Sequence, residues 1–479
     1  MLRNKTSARV KRVLRLLKEN PETRVVLLSG TITGKTLHDH AHLLEICLRD
    51  RTPLPLHYKT LEQWASVLDP DGEPDYDAIH AMWPLAATYA KGPEDFSKLP
   101  RDVRQRIARE GYRLRFTSIP GVITSAASSV ACSLYLVRRR PHVPAVVTDA
   151  LKNLPNMPDV ESVDEHGEEL VDAMAIARAA GYISAGFFYR WDWSCGGRRS
   201  ASKDEYDVEW TARRSEWARA VRDALKHSHA GYDSEFLVKV NAAKGKGGDQ
   251  IVEAYKKWHE LRPEDDTIDG VCKSGAHEGE RRWCDRNPPP IQAVWLSEFL
   301  LDDVDKWVRA EHKAGAAARK AAASGGTTGD VDTARGRAIL WYSSKAMEQA
   351  LKARGYRTYG AGTPSPPDHE DIVACSILVH GKGKNLQGEA DRGPGGTPTR
   401  GWSRNVIIEP PSSGQTWEQL IGRTHRQGQR ADEVVAVIYQ HTSKLVESLL
   451  TATSQAKYIQ QTQGVQQKLL YGTWTNEER

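Results

Sequence analysis

The densest set of residues able to do chemistry lies at 417–442, WEQLIGRTHRQGQRADEVVAVIYQHT. Gln419, Gly422, Arg423, Arg426, Gly428 and Gln429 form the pattern QxxGRxxRxGQ. Arg423 and Arg426 are three residues apart, so on a helix both guanidiniums project from one face. Two fixed cations side by side suit a phosphate chain, because each offers planar bidentate donors and stays charged at any relevant pH. Developing charge on a transferring phosphoryl group is what such an arginine stabilises. The plain alternative, a solvated basic helix end, does not explain six positions in register.

A second phosphate-binding candidate is Ser29-x4-Gly34-Lys35-Thr36, which follows a hydrophobic run and precedes a helical pattern, as a P-loop does. A P-loop starts with Gly because its amides must curl around the phosphates with positive φ available, and Ser29 departs from that. The acid it needs for Mg2+ has two candidates at the ends of expected strands, Asp149 after Val146-Val147-Thr148 and Glu409 after Ile407-Ile408. His38 and His42 are four apart and could share a helical face as zinc ligands do, but no third ligand follows at matching spacing. Cys272, His277 and Cys284 lack paired spacing, so no metal site is expected. No HExxH and no GxSxG occurs, which leaves metalloprotease and esterase chemistry without support.

A basic middle stretch carries Arg198, Arg199, Lys203, Arg213, Arg214, Arg219, Arg222 and Lys226 interleaved with Trp210 and Trp217. It could track a phosphate backbone. Glu205, Asp207, Glu209 and Glu216 dilute its charge, and a solvated helix with two core tryptophans is the preferred reading. Lys382 and Lys384, on a Gly-rich turn, are better placed for a backbone phosphate.

The elements that must hold these residues read as α/β. An amphipathic helix with Val10, Val13, Leu14 and Leu17 on one face leads into an expected buried strand, RVVLL, then the SGTITGKT loop and a helix with Leu37, Ala41, Leu44 and Leu48. This start is Arg-rich and without acid before Glu19, as in a mitochondrial presequence, but a helix feeding a strand is the simpler account. From about Pro53 to His312 the pattern is mostly helical, with strand-like pieces at 121–125 and 133–137. The stretch 313–330 begins as a possible helix continuation and ends in SGGTTGD, a flexible linker. Strands are then expected at 338–342, 372–379, 405–409 and 434–439, with helices at 347–353 and 417–425. EADRGPGGTPTRG reads as a loop between the second and third of these strands.

Composition agrees with a large globular protein. At 479 residues the chain can bury several cores without a disulfide or metal staple. Lys+Arg 67 against Asp+Glu 62 leaves +5, which permits nucleic-acid binding without arguing for it. Six Cys without a CxxC pair fit a reducing compartment. No apolar run approaches the ~20 residues that span a bilayer, so a soluble cytoplasmic protein without a membrane partner is expected.

The QxxGRxxRxGQ segment resembles motif six of superfamily-two helicases, in the Swi/Snf-type branch. Other segments resemble that family in the right order. HGKGKNLQ, His380 to Gln387, is similar to motif five, and NVIIEPPSSGQTWEQL to the strand and linker joining it to motif six. RAILWYSS, Arg337 to Ser344, resembles the motif-four strand that opens the second RecA-like domain. NKTSARVKRVLRLLKENPETRVVLLSGT is similar to the approach to motif three, with Ser29-Gly30-Thr31 in the place of its core. PGVITS and GFFYRWDW resemble stretches of bacterial and phage members.

The resemblance implies an α/β, RecA-like parallel-sheet fold. Residues 1–52 would be the end of a first RecA-like domain, 53–312 a mainly helical insertion, 313–330 a linker and 331–479 the second RecA-like domain. It implies an ATP-dependent DNA helicase or translocase, with ATP and Mg2+ as cofactors. Arg423 and Arg426 would reach the γ-phosphate and Gln419 would help hold the cleft. Ser29, Gly30 and Thr31, with Gly383, Asn385 and Gly422, would bind nucleotide or couple its hydrolysis to movement. Lys382, Lys384 and Ser343 would contact nucleic acid. A Walker A loop and a DEAH-type box belong upstream of motif three, so this chain reads as the C-terminal part of an engine completed by a partner polypeptide, in a bacterial or phage-infected cytoplasm. A non-catalytic DNA-binding or interaction subunit with a RecA-like fold, or a stand-alone P-loop ATPase using Ser29 to Thr36, are the other readings.

Overall fold

The computed structural model describes residues 8–27, 34–120, 122, 130, 132–154, 162–163, 173–191, 212–213, 216–217, 219–221, 223–224, 235–260, 267–268, 271–272, 291–324, 336–367, 369–381, 386, 401–429 and 431–476. The chain divides into two compact units, one of residues 24–148, 184–186 and 297–479, the other of 1–23, 149–183 and 187–296.

The smaller unit holds helix α1 (Ala8–Glu19) and an antiparallel sheet in which β2 (Ser162–Val163), β3 (Phe187–Trp191) and β6 (Ile291–Trp295) pair in that order. Strands β4 (Thr267–Ile268) and β5 (Val271–Cys272) pair separately. Trp217 and Val221 pack with Val238 and Ala254, which lie on two further helices of this unit, Glu235–Ala243 and Asp249–Glu260. Trp217 is thus a core tryptophan, as the preferred reading of the basic stretch has it; most of that stretch, Trp210 included, lies outside the described residues.

The larger unit is built on a seven-stranded sheet. Its strands run in the order β12 (Thr473–Thr475), β1 (Ser133–Arg139), β11 (Glu433–Tyr439), β10 (Arg404–Ile407), β7 (Ala338–Tyr342), β9 (Ile372–Ser376) and β8 (Thr358–Tyr359). Every adjacent pair is parallel, so the expected α/β parallel sheet forms. A parallel strand covered on both faces reads as an unbroken apolar run. AILWY, buried at all five positions, and EVVAVIY do so.

The middle segment 53–312 contributes more than helices. Its β1 enters the sheet between β11 and β12, with Leu134 opposite Val434 and Leu136 opposite Trp474. The first of the strands expected in the sequence does not form: residues 24–27 carry no strand, and Val26 is 79% exposed. A β-branched run becomes a strand only where a neighbour takes up its amides and carbonyls, and none of the described strands does. The strand expected at 372–379 ends at Ser376, and Ile377–His380 turns into a short helix.

Before β1 the chain forms helices α2 (Ala41–Leu48), α3 (Tyr58–Leu68), α4 (Tyr76–Ala86), α5 (Pro93–Ser97) and α6 (Arg101–Thr117), closed around Leu37, Trp64, Leu68, Met82, Phe96 and Tyr112. After β1 come α7 (Ala145–Asn153), α8 (Ala173–Ser184), α9 (Glu235–Ala243), α10 (Asp249–Glu260) and the long α11 (Phe299–Ala323). Then follow α12 (Lys345–Ala353), α13 (Ile377–His380), α14 (Gly414–Ile421), α15 (Ser443–Gln463) and α16 (Lys468–Tyr471). Helix α6 packs on α15.

Candidate functional site

Helix α14 starts where the Ser413 hydroxyl accepts from the Thr416 amide at 3.3 Å, an N-cap, and buries Trp417, Leu420 and Ile421 in the core under the sheet. It stops at Ile421, four residues before the expected end, and the chain continues as a run of turns. The amides of Arg423 and Thr424 donate to the carbonyls of Leu420 and Ile421 at 3.0 and 3.1 Å, and that of Gln429 to Arg426 at 3.1 Å. The expected helical face for Arg423 and Arg426 is therefore corrected to a turn. Two local facts keep a helix from resuming beyond His425. The Thr424 carbonyl, which an α-helix would offer to residue 428, accepts from Gln429 Nε2 at 2.9 Å. Gly428 lies at φ 90°, the left-handed region that glycine enters freely.

The residues of the pattern differ in how this turn holds them. Arg423 is half-buried, and its Nε donates to the Gln419 carbonyl at 2.8 Å. Arg426 is exposed. Burial lowers the Arg423 guanidinium from its ordinary value, and the charge of Arg426 lowers it further. Two cations near enough to repel gain jointly from an anion placed between them. A Cβ on Gly422 would stand 2.7 Å from the Glu418 carbonyl oxygen, so this glycine answers to close approach, not to φ. Gln419 Oε1 is buried, and none of the described residues donates to it.

The turn is pinned from beneath. Asn405, buried on β10, donates to Thr424 Oγ1 at 2.9 Å and accepts from Trp341 Nε1 of β7 at 3.0 Å. Gln429 Nε2 also donates to the Trp402 carbonyl at 3.2 Å, while its Oε1 accepts from the Ala431 amide at 3.1 Å. His425 Nε2 lies 3.0 Å from the Cys132 carbonyl, which can only accept, so Nε2 carries the proton. Burial lowers the His425 pKa and keeps the ring neutral. Glu418 accepts from the Lys468 amide at 2.7 Å and pairs with its ammonium. Asn405, Thr424, His425 and Cys132 were not picked out in the sequence, where an Asn inside an apolar strand was the available signal.

The structure brings Gln419 on the last turn of α14 and Gly422 at its C-cap next to Arg423 and Arg426 on the turns that follow, and adds the end of the segment similar to motif five. There the Leu386 amide donates to the Arg423 carbonyl at 3.2 Å. Lys382, Gly383, Lys384 and Asn385 lie outside the described residues, as do Ser29, Gly30 and Thr31. Ser343 follows β7; its amide and that of Ser344 donate to Glu409 Oε2 at 2.6 and 2.9 Å, and the Ser344 hydroxyl caps α12.

Other candidates resolve differently. The amides of Gly34 and Lys35 donate to Asp39 Oδ2 at 3.3 and 3.1 Å, and that of Leu37 to Asp69 Oδ1 at 3.0 Å. Thr36 donates its hydroxyl to Asp69. Carboxylates of the chain thus hold the groups a P-loop would turn to phosphate, and a 3-10 turn, Leu37–Asp39, stands between this loop and α2. Val146 to Asp149 is helical, within α7, not a strand ending in an acid. His38 lies on the 3-10 turn, 3.0 Å from Glu62, and His42 on α2, so they share no helical face. Among the described residues no three His, Cys, Asp or Glu converge on one point. His277 and Cys284 lie outside the described residues. No described helix is long and apolar enough to cross a membrane.

No protein-family profile matches the chain, and no curated protein matches it. Solved structures give partial likenesses. S. cerevisiae Dbp5 bound to RNA and ADP BeF3 aligns at 13% identity over 29% of this chain and 34% of that chain, with a TM-score of 0.20. The C-terminal part of the Fun30 ATPase domain aligns at 10% identity over 68% of this chain and 96% of that chain, with a TM-score of 0.23. The chain spans about a third of the Dbp5 chain it matches. Likenesses at these scores leave the fold to be argued from the sheet itself.

Proposed function

We propose that the chain supplies the second RecA-like lobe of an ATP-dependent helicase or translocase of the Swi/Snf type, acting on DNA. In this reading the lobe is residues 331–479 together with β1, and Arg423 and Arg426 are its arginine fingers. The observation that carries it is the turn that brings two guanidiniums near enough to repel, Arg426 exposed and Arg423 anchored on the Gln419 carbonyl. Such a pair is suited to charge that develops during phosphoryl transfer. Gln419 Oε1, a buried acceptor beside it, would take a donor from the opposing lobe; leaving it unpaired costs about 1–3 kcal/mol.

ATP would be the substrate of this site. Walker A and DEAH-type motifs, and with them the Mg2+ ligands, would come from a partner polypeptide, so no step is assigned to Mg2+ on this chain. Ser29, Gly30 and Thr31 would couple hydrolysis to movement. Gly383 and Asn385 would link the turn to DNA, with Lys382, Lys384 and the Ser343 hydroxyl on its backbone.

The test is DNA-stimulated ATP hydrolysis by the chain alone and mixed with a polypeptide carrying a Walker A loop. Hydrolysis is expected only in the mixture, falling about a thousandfold in Arg426→Ala, the scale of a lost arginine finger. The exposed side chain contributes little to stability, so Arg426→Ala should unfold within about 0.5 kcal/mol of the parent. Hydrolysis that survives Arg426→Ala would refute the reading. A chain that binds DNA while no partner elicits hydrolysis would make it a non-catalytic subunit.

A further inference from the structure

Helix α11 changes character along its length. Its first half carries Glu298 as cap, then Asp302, Asp303 and Asp305, and these carboxylates are engaged. Arg354 bonds Glu298 and Asp305 at 2.5 and 2.6 Å, with Asp302 at 2.8 Å, and Arg139 pairs with Asp303. From Lys306 onward the helix has one acid, Glu311, which turns inward to the Gly336 amide at 2.8 Å and to Arg404. The remaining basic residues of this half are Lys306, Arg309, His312, Lys313, Arg319 and Lys320, all exposed.

Their spacing gathers them. Lys306, Arg309, Lys313 and Lys320 recur at i, i+3, i+7 and i+14, and His312 and Arg319 flank that row. Trp307, Val308 and Gly315 occupy the opposite, buried face. At 1.5 Å per residue the row is about 21 Å long. The residues exposed among the cations are alanines, Ala310, Ala316 and Ala317, so nothing bulky holds a partner away from the charges.

We infer that this face of α11 is a docking surface for duplex DNA, engaged through the phosphate backbone. A row of cations along one helix matches the regular charge of a duplex, which binds by release of its counterions. Single strands are held largely by aromatic stacking, and this face has no aromatic residue. A membrane-surface helix would set large apolar side chains beside its cations, and none of the exposed large hydrophobics lies on α11. A protein partner would call for an apolar centre to the patch, and the exposed residues between the cations are only alanines. The surface goes beyond the arginine turn and does not need phosphoryl transfer to occur there.

The experiment is fluorescence anisotropy of a labelled 20-base-pair duplex with the full chain, without nucleotide, from 50 to 200 mM salt. The triple variant Lys306→Gln, Lys313→Gln, Lys320→Gln should lower the salt slope of log affinity by about 3 and weaken binding about a hundredfold near 0.1 M salt. A control removes three exposed cations of the helical module, Arg51→Gln, Lys59→Gln and Lys91→Gln, and should keep the parent slope. An unchanged slope in the α11 variant, or equal losses in both variants, overturns the inference. So does binding in which duplex RNA, poly-glutamate or phosphatidylserine vesicles are preferred to DNA and show the same dependence on these lysines. Loss of DNA binding with the arginine turn intact leaves the ATPase reading to its own assay, so the two fail separately.

Discussion

Asn405 is the point at which the arginine turn is fastened to the sheet, and its removal gives a calculable loss. The side chain sits 1% exposed on β10, accepts the Trp341 indole proton at 3.0 Å and donates to Thr424 Oγ1 at 2.9 Å. Asn405→Ala leaves the buried Trp341 N–H without its acceptor, a desolvation cost of about 1–3 kcal/mol, and opens a small void. The Thr424 hydroxyl still donates to the Ile421 carbonyl at 3.3 Å, so its loss is the smaller one. Together the substitution should cost about 2–4 kcal/mol, read as a shift in urea midpoint at unchanged m. Thr424→Val in the same background isolates the bond to the turn, and the cycle should return a coupling of about 1 kcal/mol. Hydrogen exchange at 422–429 should rise in Asn405→Ala more than the global change explains. A loss below about 0.5 kcal/mol with unchanged exchange in the turn would refute the idea that Asn405 fastens it.

Two further outcomes follow from groups already described. Burial pushes the Asp69 carboxyl up to about 7, against the hydrogen bonds from Thr36 and Leu37 that favour its charge. The folded state then holds the proton more tightly than the unfolded chain, whose Asp titrates near 4. Asp69's contribution is therefore full below about pH 4, is lost as pH rises to about 7, and is flat beyond. Asp69→Asn should remove about 2 kcal/mol of the fall in stability between pH 5 and 7, and equal slopes in denaturant titrations of parent and variant would count against it. Separately, a Cβ on Gly414 would meet the Ala452 carbonyl oxygen at 2.6 Å and the Ala456 amide nitrogen at 2.9 Å. Gly414→Ala should push α14 off α15 and cost about 1–3 kcal/mol in thermal unfolding, whereas an unshifted melting temperature would contradict that packing.

The sheet was legible where strands are buried on both faces. Residues 338–342 stand where their apolar run puts them, and 433–439 begin one residue earlier than expected. The pattern QxxGRxxRxGQ was legible as one local unit but not as a shape. Helical spacing extends Trp417 to His425 as one helix, yet Gly428 and the Gln429 side chain impose a turn that periodicity does not register. The strand expected at 24–28 failed for the opposite reason, since β-branched residues express a preference that only a neighbouring edge can satisfy. Asn405 was hidden because its partners, Trp341 and Thr424, are distant in the chain and meet only once β7 and β10 are side by side under the turn. The basic row on α11 was split in the sequence between the helical middle and the Ala-rich stretch, and it became one surface only when the helix ran through both.

The placing of β1 makes the sheet a clasp. β12 pairs with β1 alone, and β11 gives one of its two edges to β1, so residues 336–479 by themselves would present Glu433–Tyr439 as an open template for foreign strands. On a ribosome, Ser133–Arg139 emerges some three hundred residues before the strand it must sit beside. The sheet is complete only when β12 pairs with a segment laid down far earlier in the chain.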